Sequence, residues 1–187
     1  MSYLVRIKEK LTSFQIITLG FVGVILLGAM LLMLPISSQT GEVTSFGNAL
    51  FTATSAVCVT GLVVYDTATY WSYFGQTVIL ILIQVGGLGV ISVASFLSMI
   101  AGRKISLMQR QTMQNALSAP QVGGVVKLTR FLFFTSFAIE GIGALLLLPV
   151  FVPRYGGKGI WLSVFHSISA FCNAGFDLMG DKTGKFS

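Results

Sequence analysis

Two cysteine-centred segments of the chain are near copies of each other. Residues 55–61 read SAVCVTG and residues 169–175 read SAFCNAG, which places Cys58 and Cys172 at equivalent positions. A structural zinc site needs about four ligands at short spacings, and the lone His166 does not complete such a set. The pattern therefore favours neither a metal centre nor a disulfide. Both segments end in a glycine, and the backbone carbonyl oxygens of the segments are candidate ligands.

The elements that must position these segments are repeated too. LTSF at 11–14 returns as LTRF at 128–131, and GAMLLMLP at 28–35 returns as GALLLLP at 143–149. Each copy contains a basic flank, an apolar helix, a Leu-Pro stop, a short polar loop and an amphipathic stretch that ends in the cysteine segment. Such an order indicates a duplicated structural unit.

The repeat predicts the organisation of the chain. We expect a first repeat over residues 1–102, a basic cytosolic connector over 103–127, and a second repeat over 128–187. An even number of crossings separates the copies, so they share one orientation across the membrane. The second copy lacks a counterpart of the last helix of the first, and we therefore expect a fragment of a longer protein.

The composition is that of an integral membrane protein. Of the 187 residues 54% are hydrophobic and only 10% are charged, whereas a soluble domain has about 25% charged residues. Three runs are long and apolar enough to cross a bilayer as helices: Phe14–Leu34, Phe74–Ala101 and Phe131–Val152. The first run is longer than the apolar core of a signal peptide, which disfavours a cleaved leader.

The positive charges are distributed unevenly along the chain. Eight of the twelve precede the first run or lie between the second and third runs, at Arg6, Lys8, Lys10, Arg103, Lys104, Arg110, Lys127 and Arg130. The other four, Arg154, Lys158, Lys182 and Lys185, lie beyond the third run together with Asp177 and Asp181. Positive charge on the cytoplasmic side places the N-terminus and the connector in the cytoplasm. The same rule explains the basicity without nucleic-acid binding.

The stretch that leads into the first cysteine segment is unusual. Ala49–Val64 is uncharged but only 16 residues long, which is too short to span a bilayer and is typical of a re-entrant segment. We expect a helix up to about Thr54, followed by an extended path because β-branched residues come next. In the second copy we expect a helix over Ile160–Ser169 and an extended path over Phe171–Gly175.

Bare backbone at membrane depth is tolerated only when protein encloses it or when it lines a wet cavity. A helix C-terminus carries partial negative charge, and a row of carbonyl oxygens can replace the hydration shell of a monovalent cation. The candidate carbonyl ligands are those of Val57, Cys58, Val59, Thr60, Gly61, Phe171, Cys172, Asn173, Ala174 and Gly175. Asp66 and Asp177 follow at the outer mouth, where they would concentrate cations. Two such strips cannot surround an ion, for which about four are used.

Several residues have two possible roles. Glu140 lies within the third apolar run, and an intramembrane carboxylate is a functional candidate by default; the alternative is a hydrogen bond to a neighbouring helix. Buried cysteines usually pack as small apolar residues, which is the reading we favour for both thiols. Gly86, Gly87 and Gly89 lie inside an apolar run, where small residues favour close helix packing over phosphate binding.

The connector contains a weakly amphipathic stretch, Ile105–Leu117, that ends before Pro120 and Gly123–Gly124. It either docks a cytosolic regulator or anionic lipid, or its charge reflects membrane topology alone.

The order of helix, re-entrant pore helix with one filter glycine, and helix, repeated along the chain, resembles the Trk/Ktr/HKT potassium-transporter superfamily. SAVCVTGL and SAFCNAGF are the most specific parts of a resemblance that covers essentially the whole chain, and its details are most similar to KtrB-type membrane subunits. The resemblance implies an all-α membrane protein in which four repeats surround an ion path. It also implies Gly61 and Gly175 as filter glycines, with potassium held by backbone carbonyls.

The resemblance further implies a homodimer in a bacterial plasma membrane, in contact with lipid and with a cytosolic ring of nucleotide-binding KtrA-like subunits. Potassium is then the substrate, and no organic cofactor is expected.

We therefore predict a potassium transporter and not an enzyme, with two alternatives. A sodium or sodium-coupled transporter of the same superfamily is one, although a serine in place of the first filter glycine accompanies sodium transport there, and this chain has Gly61. An intramembrane enzyme using Cys58, Cys172 and His166 is the other. His166 lies six residues before Cys172, and residues so spaced do not share a helix face.

Overall fold

The computed structural model of the protein describes residues 12–100, 107–117 and 124–180. These ranges are helical and contain no β-strand, only an isolated bridge between Ser38 and Trp71. Their α-helices, numbered here in chain order, are α1 (Ser13–Leu32), α2 (Phe46–Val57), α3 (Thr67–Tyr70), α4 (Tyr73–Leu88), α5 (Val90–Ile100), α6 (Leu107–Ala116), α7 (Val125–Tyr155) and α8 (Lys158–Phe171), with a 3-10 helix over Pro35–Ser37. Arg6, Lys8, Lys10, Arg103, Lys104, Pro120 and Gly123 lie outside the described residues.

Two helices in the described ranges, α1 and α7, are long and apolar enough to cross a membrane. The 20 residues of α1 correspond to about 30 Å, the thickness of a hydrocarbon core. A capping box begins α1: the backbone N–H of Thr12 donates to Gln15 Oε1 at 2.9 Å, and the N–H of Gln15 donates to Thr12 Oγ1 at 3.4 Å. These bonds satisfy N–H groups that a helix start leaves unpaired.

The second apolar run is not one helix, contrary to the expectation for Phe74–Ala101. It is divided into α4 and α5 at Gly89, whose φ is +82°. This backbone conformation is accessible to glycine at little cost, and it ends the α4 hydrogen-bond ladder. The hydrophobicity of the run is continuous, so it did not predict the end of a helix at Gly89.

The two Leu-Pro sequences also behave differently. Pro35 follows the end of α1 and opens the 3-10 helix, as expected. In the second copy, however, α7 continues through Pro149 and Pro153 to Tyr155. A proline within a helix removes one backbone hydrogen bond, and apolar membrane helices tolerate it when neighbouring groups compensate.

The two short helices occupy equivalent places in the fold. Helix α2 packs against α1 and α4, whereas α8 packs along α7 and also contacts α4. Helix α4 is therefore shared by both repeats, and its buried side chains Ile79 and Ile83 belong to the common core. At one end of the contact between α4 and α8, Trp161 Nε1 donates a hydrogen bond to Gln76 Oε1 at 2.8 Å. This bond joins the two helices directly.

Helix α6 lies within the stretch Ile105–Leu117 that was expected to be amphipathic. It contacts α1, α5 and α7. Met113 is fully buried and Thr112 nearly so, which accounts for the apolar side of the pattern.

Gly159 sets the close approach of α8 to α7. A Cβ at position 159 would lie 2.6 Å from the backbone of Phe151 and Val152. We expect Gly159→Ala to force the helices apart and to lower the free energy of unfolding by about 1–3 kcal/mol, the usual cost of overpacking. A lower Tm of the full-length protein in detergent would show this.

Gly141→Ala, in α7, is the matched control. A Cβ at position 141 meets nothing within 4 Å, so this change should preserve or raise the Tm, because alanine is a better helix former. Equal destabilisation by the two variants would contradict the packing described.

Candidate ion-binding site

The first cysteine segment is a glycine-terminated turn at the end of α2. The N–H of Val59 donates to the Ala56 carbonyl at 3.3 Å, and the N–H of Thr60 donates to the Ser55 carbonyl at 2.9 Å. Cys58 is the C-cap residue, and Val59 has a φ of +57°. This pair of bonds around a left-handed residue is a Schellman motif, which satisfies carbonyls that a helix end leaves unpaired.

The second cysteine segment repeats the turn at the end of α8. The N–H of Asn173 donates to the Ala170 carbonyl at 3.0 Å, and the N–H of Ala174 donates to the Ser169 carbonyl at 2.7 Å. Asn173 has the same φ of +57°, and the following Gly175 has +72° beside +73° for Gly61. The sequence repeat is thus also a repeat of backbone geometry.

These turns bring the two glycines together. A Cβ at Gly61 would lie 2.6 Å from the Ala174 carbonyl oxygen and 3.2 Å from Gly175 Cα. A Cβ at Gly175 would lie 3.4 Å from Gly61 Cα. The two segments, far apart in sequence, therefore face each other through backbone atoms alone.

Within the described residues, no hydrogen-bond donor of the protein reaches the carbonyls of Cys58–Gly61 or Cys172–Gly175. They follow directly on the C-termini of α2 and α8, where the helix dipole is negative. Carbonyl oxygens in such a field suit a hard, desolvated cation. Carbonyl oxygens would be poor anion ligands, because they carry partial negative charge themselves.

The helices extend further than expected. Helix α2 ends at Val57 instead of Thr54, and α8 ends at Phe171 instead of Ser169. The Schellman turns continue helical hydrogen bonding past the β-branched residues, so local propensity is overridden. Val57 and Phe171 are therefore helical, and the Val57 carbonyl lies against Gly86 of α4.

Gly86 and Gly87 let α4 touch both segments. A Cβ at Gly86 would collide with the Val57 carbonyl, and one at Gly87 would lie 2.6 Å from Cys172 Sγ. Close packing through small residues is thus confirmed for this pair, whereas Gly89 serves as the helix break.

The two acidic residues that follow the segments, Asp66 and Asp177, have local structural roles. Asp66 Oδ1 accepts bonds from the backbone N–H and the hydroxyl of Thr69, both at 2.8 Å, and caps α3. Asp177 Oδ1 accepts from the N–H of Met179 at 2.8 Å. Asp66 and Asp177 can still contribute negative charge. Their bonds are those of local turns and caps, and the Asp66 carboxylate also lies against Gly180.

The thiols and His166 do not form a catalytic arrangement. Cys58 is exposed, whereas Cys172 is partly buried against Gly87, so packing accounts for only one of them. His166 Nδ1 lies 2.8 Å from the Leu162 carbonyl, and Nε2 accepts from the N–H of Leu178 at 3.3 Å. Both ring nitrogens are therefore engaged by backbone groups. Among the described residues no cluster of three His, Cys, Asp or Glu side chains could hold a metal ion.

Glu140 has a partner on a neighbouring helix. Its carboxylate oxygens accept from Gln84 Nε2 at 2.8 and 3.0 Å, and its backbone carbonyl accepts from Ser167 Oγ at 2.6 Å. The carboxylate is buried, with 4% of the residue exposed. Gln84 was not singled out from the sequence, although a glutamine inside an apolar run is a detectable signal.

A comparison with models of protein families identifies the family of this chain. The TrkH family model, described as cation transport protein, matches residues 8–187. The chain belongs to the TrkH family of cation transport proteins. The resemblance seen in the sequence is thereby confirmed, and the family consists of transporters and not enzymes. Together with α1 and α7, this makes the chain part of a membrane protein.

Individual relatives agree with the family. The chain is 47% identical over 177 residues to "Potassium/sodium uptake protein NtpJ" of Enterococcus hirae and covers 39% of that protein. It is 50% identical over 173 residues to "Ktr system potassium uptake protein B" of Bacillus subtilis and covers 38% of it. A protein of the same name from Vibrio alginolyticus is 38% identical over 182 residues. These matches include 94%, 92% and 97% of this chain, which therefore spans about two fifths of its relatives.

The left-handed turn residue of the second segment provides a test of this geometry. A β-branched residue in this conformation costs about 1–2 kcal/mol, whereas asparagine and glycine tolerate it. Because the side chain of Asn173 is exposed, we expect Asn173→Val to lower the free energy of unfolding by about 1 kcal/mol. Asn173→Gly should be close to neutral. Thermal unfolding of the full-length protein in detergent measures both, and equal Tm values would contradict the positive φ.

Proposed function

We propose that the two glycine-terminated segments are half of a selectivity filter through which potassium enters a bacterial cell. The observation that carries the proposal is the pair of matching helix-end turns, which meet at Gly61 and Gly175 and whose last carbonyls accept no hydrogen bond from the described residues. The names of the relatives, which include potassium uptake, support the choice of ion.

The carbonyls of Cys58–Gly61 and Cys172–Gly175 are the proposed ligands. A potassium ion sheds water on entering and is coordinated by these oxygens in its place. The negative ends of α2 and α8 lower the cost of desolvating the ion. An inside-negative membrane potential then drives it inward at about 2.3 kcal/mol per elementary charge per 100 mV. Val57 and Phe171, whose carbonyls the sequence also predicts as ligands, are the last residues of α2 and α8.

The filter requires more backbone than these residues supply. Potassium filters use about four strips around the ion, and the two strips here leave one side of the path open. We propose that the ring is completed outside the 187 residues, by further repeats of the kind seen at 1–102 and 128–187. The length of the relatives is compatible with this, because the chain covers 38–40% of the first three.

The proposed topology follows from charge. With the basic N-terminus and the connector in the cytoplasm, α2 and α8 enter from outside and dip into the bilayer, so that their C-termini point to its middle. Both repeats then have the same orientation, α1 and α7 cross the membrane completely, and the fold is a channel-like array of transmembrane helix, re-entrant pore helix and transmembrane helix.

The proposed assembly is a homodimer on a KtrA-like cytosolic ring that binds nucleotides. The name "Ktr system" of two relatives indicates a multicomponent system. Helix α6 and the basic residues around it, including Arg110 and Lys127, are the proposed contact on the cytoplasmic side. The same basic surface suits anionic lipid headgroups.

Sodium is the second candidate ion. One relative carries the name "Potassium/sodium uptake protein", so sodium transport or sodium coupling merits a direct comparison. Carbonyl filters distinguish these ions by the size of the cavity and the field strength of the ligands. The positive φ of Gly61 affects both properties, because it sets the position of the filter backbone. The same experiment therefore tests the function and the ion.

We expect Gly61→Ser to reduce the potassium-to-sodium uptake ratio about tenfold or more. The side chain costs about 1–2 kcal/mol at the positive φ, each 1.4 kcal/mol is about a factor of ten, and its Cβ meets the Ala174 carbonyl. Gly175→Ser, which has the φ cost but only ordinary contact, should be milder. The assay is uptake of potassium and sodium by cells lacking other potassium uptake, with the full-length protein expressed with its partner.

Cys58→Ser is the control for thiol chemistry. The Cys58 side chain is exposed and only its backbone is a proposed ligand, so uptake should remain close to that of the parent. Loss of uptake in Cys58→Ser together with an unaffected Gly61→Ser would refute a carbonyl filter.

A further inference from the structure

The buried pair Glu140–Gln84 lies behind the second segment. Gln84 Nε2 donates to both carboxylate oxygens of Glu140, and the Cys172 thiol lies 4.0 Å from Gln84 Oε1. The next turn of α4 places Gly87 directly against Cys172. A chain of contacts thus leads from α7 through α4 to the residue that caps α8.

A second contact joins the same elements. Ser167 Oγ, one turn before the end of α8, donates to the Glu140 carbonyl at 2.6 Å. Gly143 provides the space for this hydroxyl, because a Cβ there would collide with Ser167 Oγ. Glu140 therefore holds α4 with its side chain and α8 with its backbone.

The first repeat shows that the fold does not require these polar groups. The two Leu-Pro motifs differ by one residue in length: aligned on the glycine they place Ile25 at the position of Glu140, and aligned on the proline they place Leu26 there. The cysteine segments place Ala53 at the position of Ser167. Ala53 is fully buried and Ile25 packs on the apolar core. An apolar pair thus serves the first repeat where a hydrogen-bonded pair serves the second.

The two turns differ in a corresponding way. Thr60 Oγ1 donates to Ser55 Oγ at 2.9 Å and closes the first turn from within. The second turn has Ala174 at this position and lacks that bond. Ser169 Oγ instead donates to the Phe176 carbonyl at 2.6 Å, beyond the glycine. Support for the backbone next to Cys172 comes from α4 and α7.

We propose that Glu140 and Gln84 are positioning residues for the second filter segment, which hold the Cys172–Gly175 carbonyls in register with those of the first. This role rests on the proposed function. It is specific to the second repeat and makes the two halves of the filter chemically unequal. Displacement of these carbonyls alters the fit of the cavity to the ion, so the pair determines selectivity without touching the ion.

The test measures cation selectivity in the full-length protein reconstituted in liposomes with its partner. Glu140→Ile installs an apolar residue, as found at this place in the first repeat, and should lower the potassium-to-sodium flux ratio about fivefold, in line with the loss of a buried hydrogen bond to a charged group. The exchange variant Gln84→Glu/Glu140→Gln retains an amide–carboxylate pair and should return the ratio to within about twofold of the parent.

Ser136→Ala is the matched control. Ser136 is also a buried polar residue of α7, one turn from Glu140, and its hydroxyl lies outside the pair, so selectivity should be unchanged. If Glu140→Ile does not accumulate in the membrane, Ser167→Ala installs the alanine of the first repeat and should shift the ratio in the same direction.

The outcomes separate the two proposals. Potassium flux with the parental selectivity in Glu140→Ile, or in Ser167→Ala if that variant is needed, would overturn the positioning role and leave the proposed function intact. A selectivity shift that the exchange variant does not reverse would also overturn it. A parent protein that carries no potassium would overturn the proposed function and this role together.

Discussion

A helix leaves its last carbonyl groups without hydrogen-bond partners inside the helix, and this constraint governs the structure. In α2 and α8 the Schellman bonds satisfy the carbonyls of Ser55, Ala56, Ser169 and Ala170, while the following carbonyls receive no bond from the described residues. The turns require positive φ, even at the β-branched Val59. Such strain persists only where the surroundings over-determine the backbone. Here the surroundings are α4 and the opposite turn.

Helix α4 connects this constraint to the rest of the fold. Gly86 abuts the Val57 carbonyl of one turn and Gly87 abuts Cys172 of the other, so a single helix fixes both segments. Near the start of the same helix, Gln76 accepts a hydrogen bond from Trp161 of the second repeat. The break at Gly89 then lets the chain leave this packed region as α5. Close packing through small residues is an established means of association between membrane helices, and in this chain it determines the placement of the two glycine-terminated segments.

Duplication produced similar backbones with dissimilar supports. The φ values of Gly61 and Gly175 agree within a degree, yet Thr60 braces its own turn and Ala174 does not. Expectations drawn from the repeat were therefore accurate for the pairing of the two segments and poor for their details. Helix ends were placed two or three residues early, and Pro149 was expected to stop a helix that it does not stop. At the helix ends, the Schellman hydrogen bonds outweighed local propensity.

The sequence by itself determined the apolar character, the repeat, the equivalence of Cys58 and Cys172, and the glycine after each, because these properties belong to residue types and their order. It also led to the family. Only the tertiary structure decided that Gly61 and Gly175 meet, that the second apolar run is divided at Gly89, and that Glu140 is held by Gln84. The division depends on the positive φ of Gly89, which the hydrophobicity of the run does not encode. The two contacts depend on atoms from segments distant in sequence, and short-range preference contains no information about which backbone will fill the space that a missing Cβ leaves.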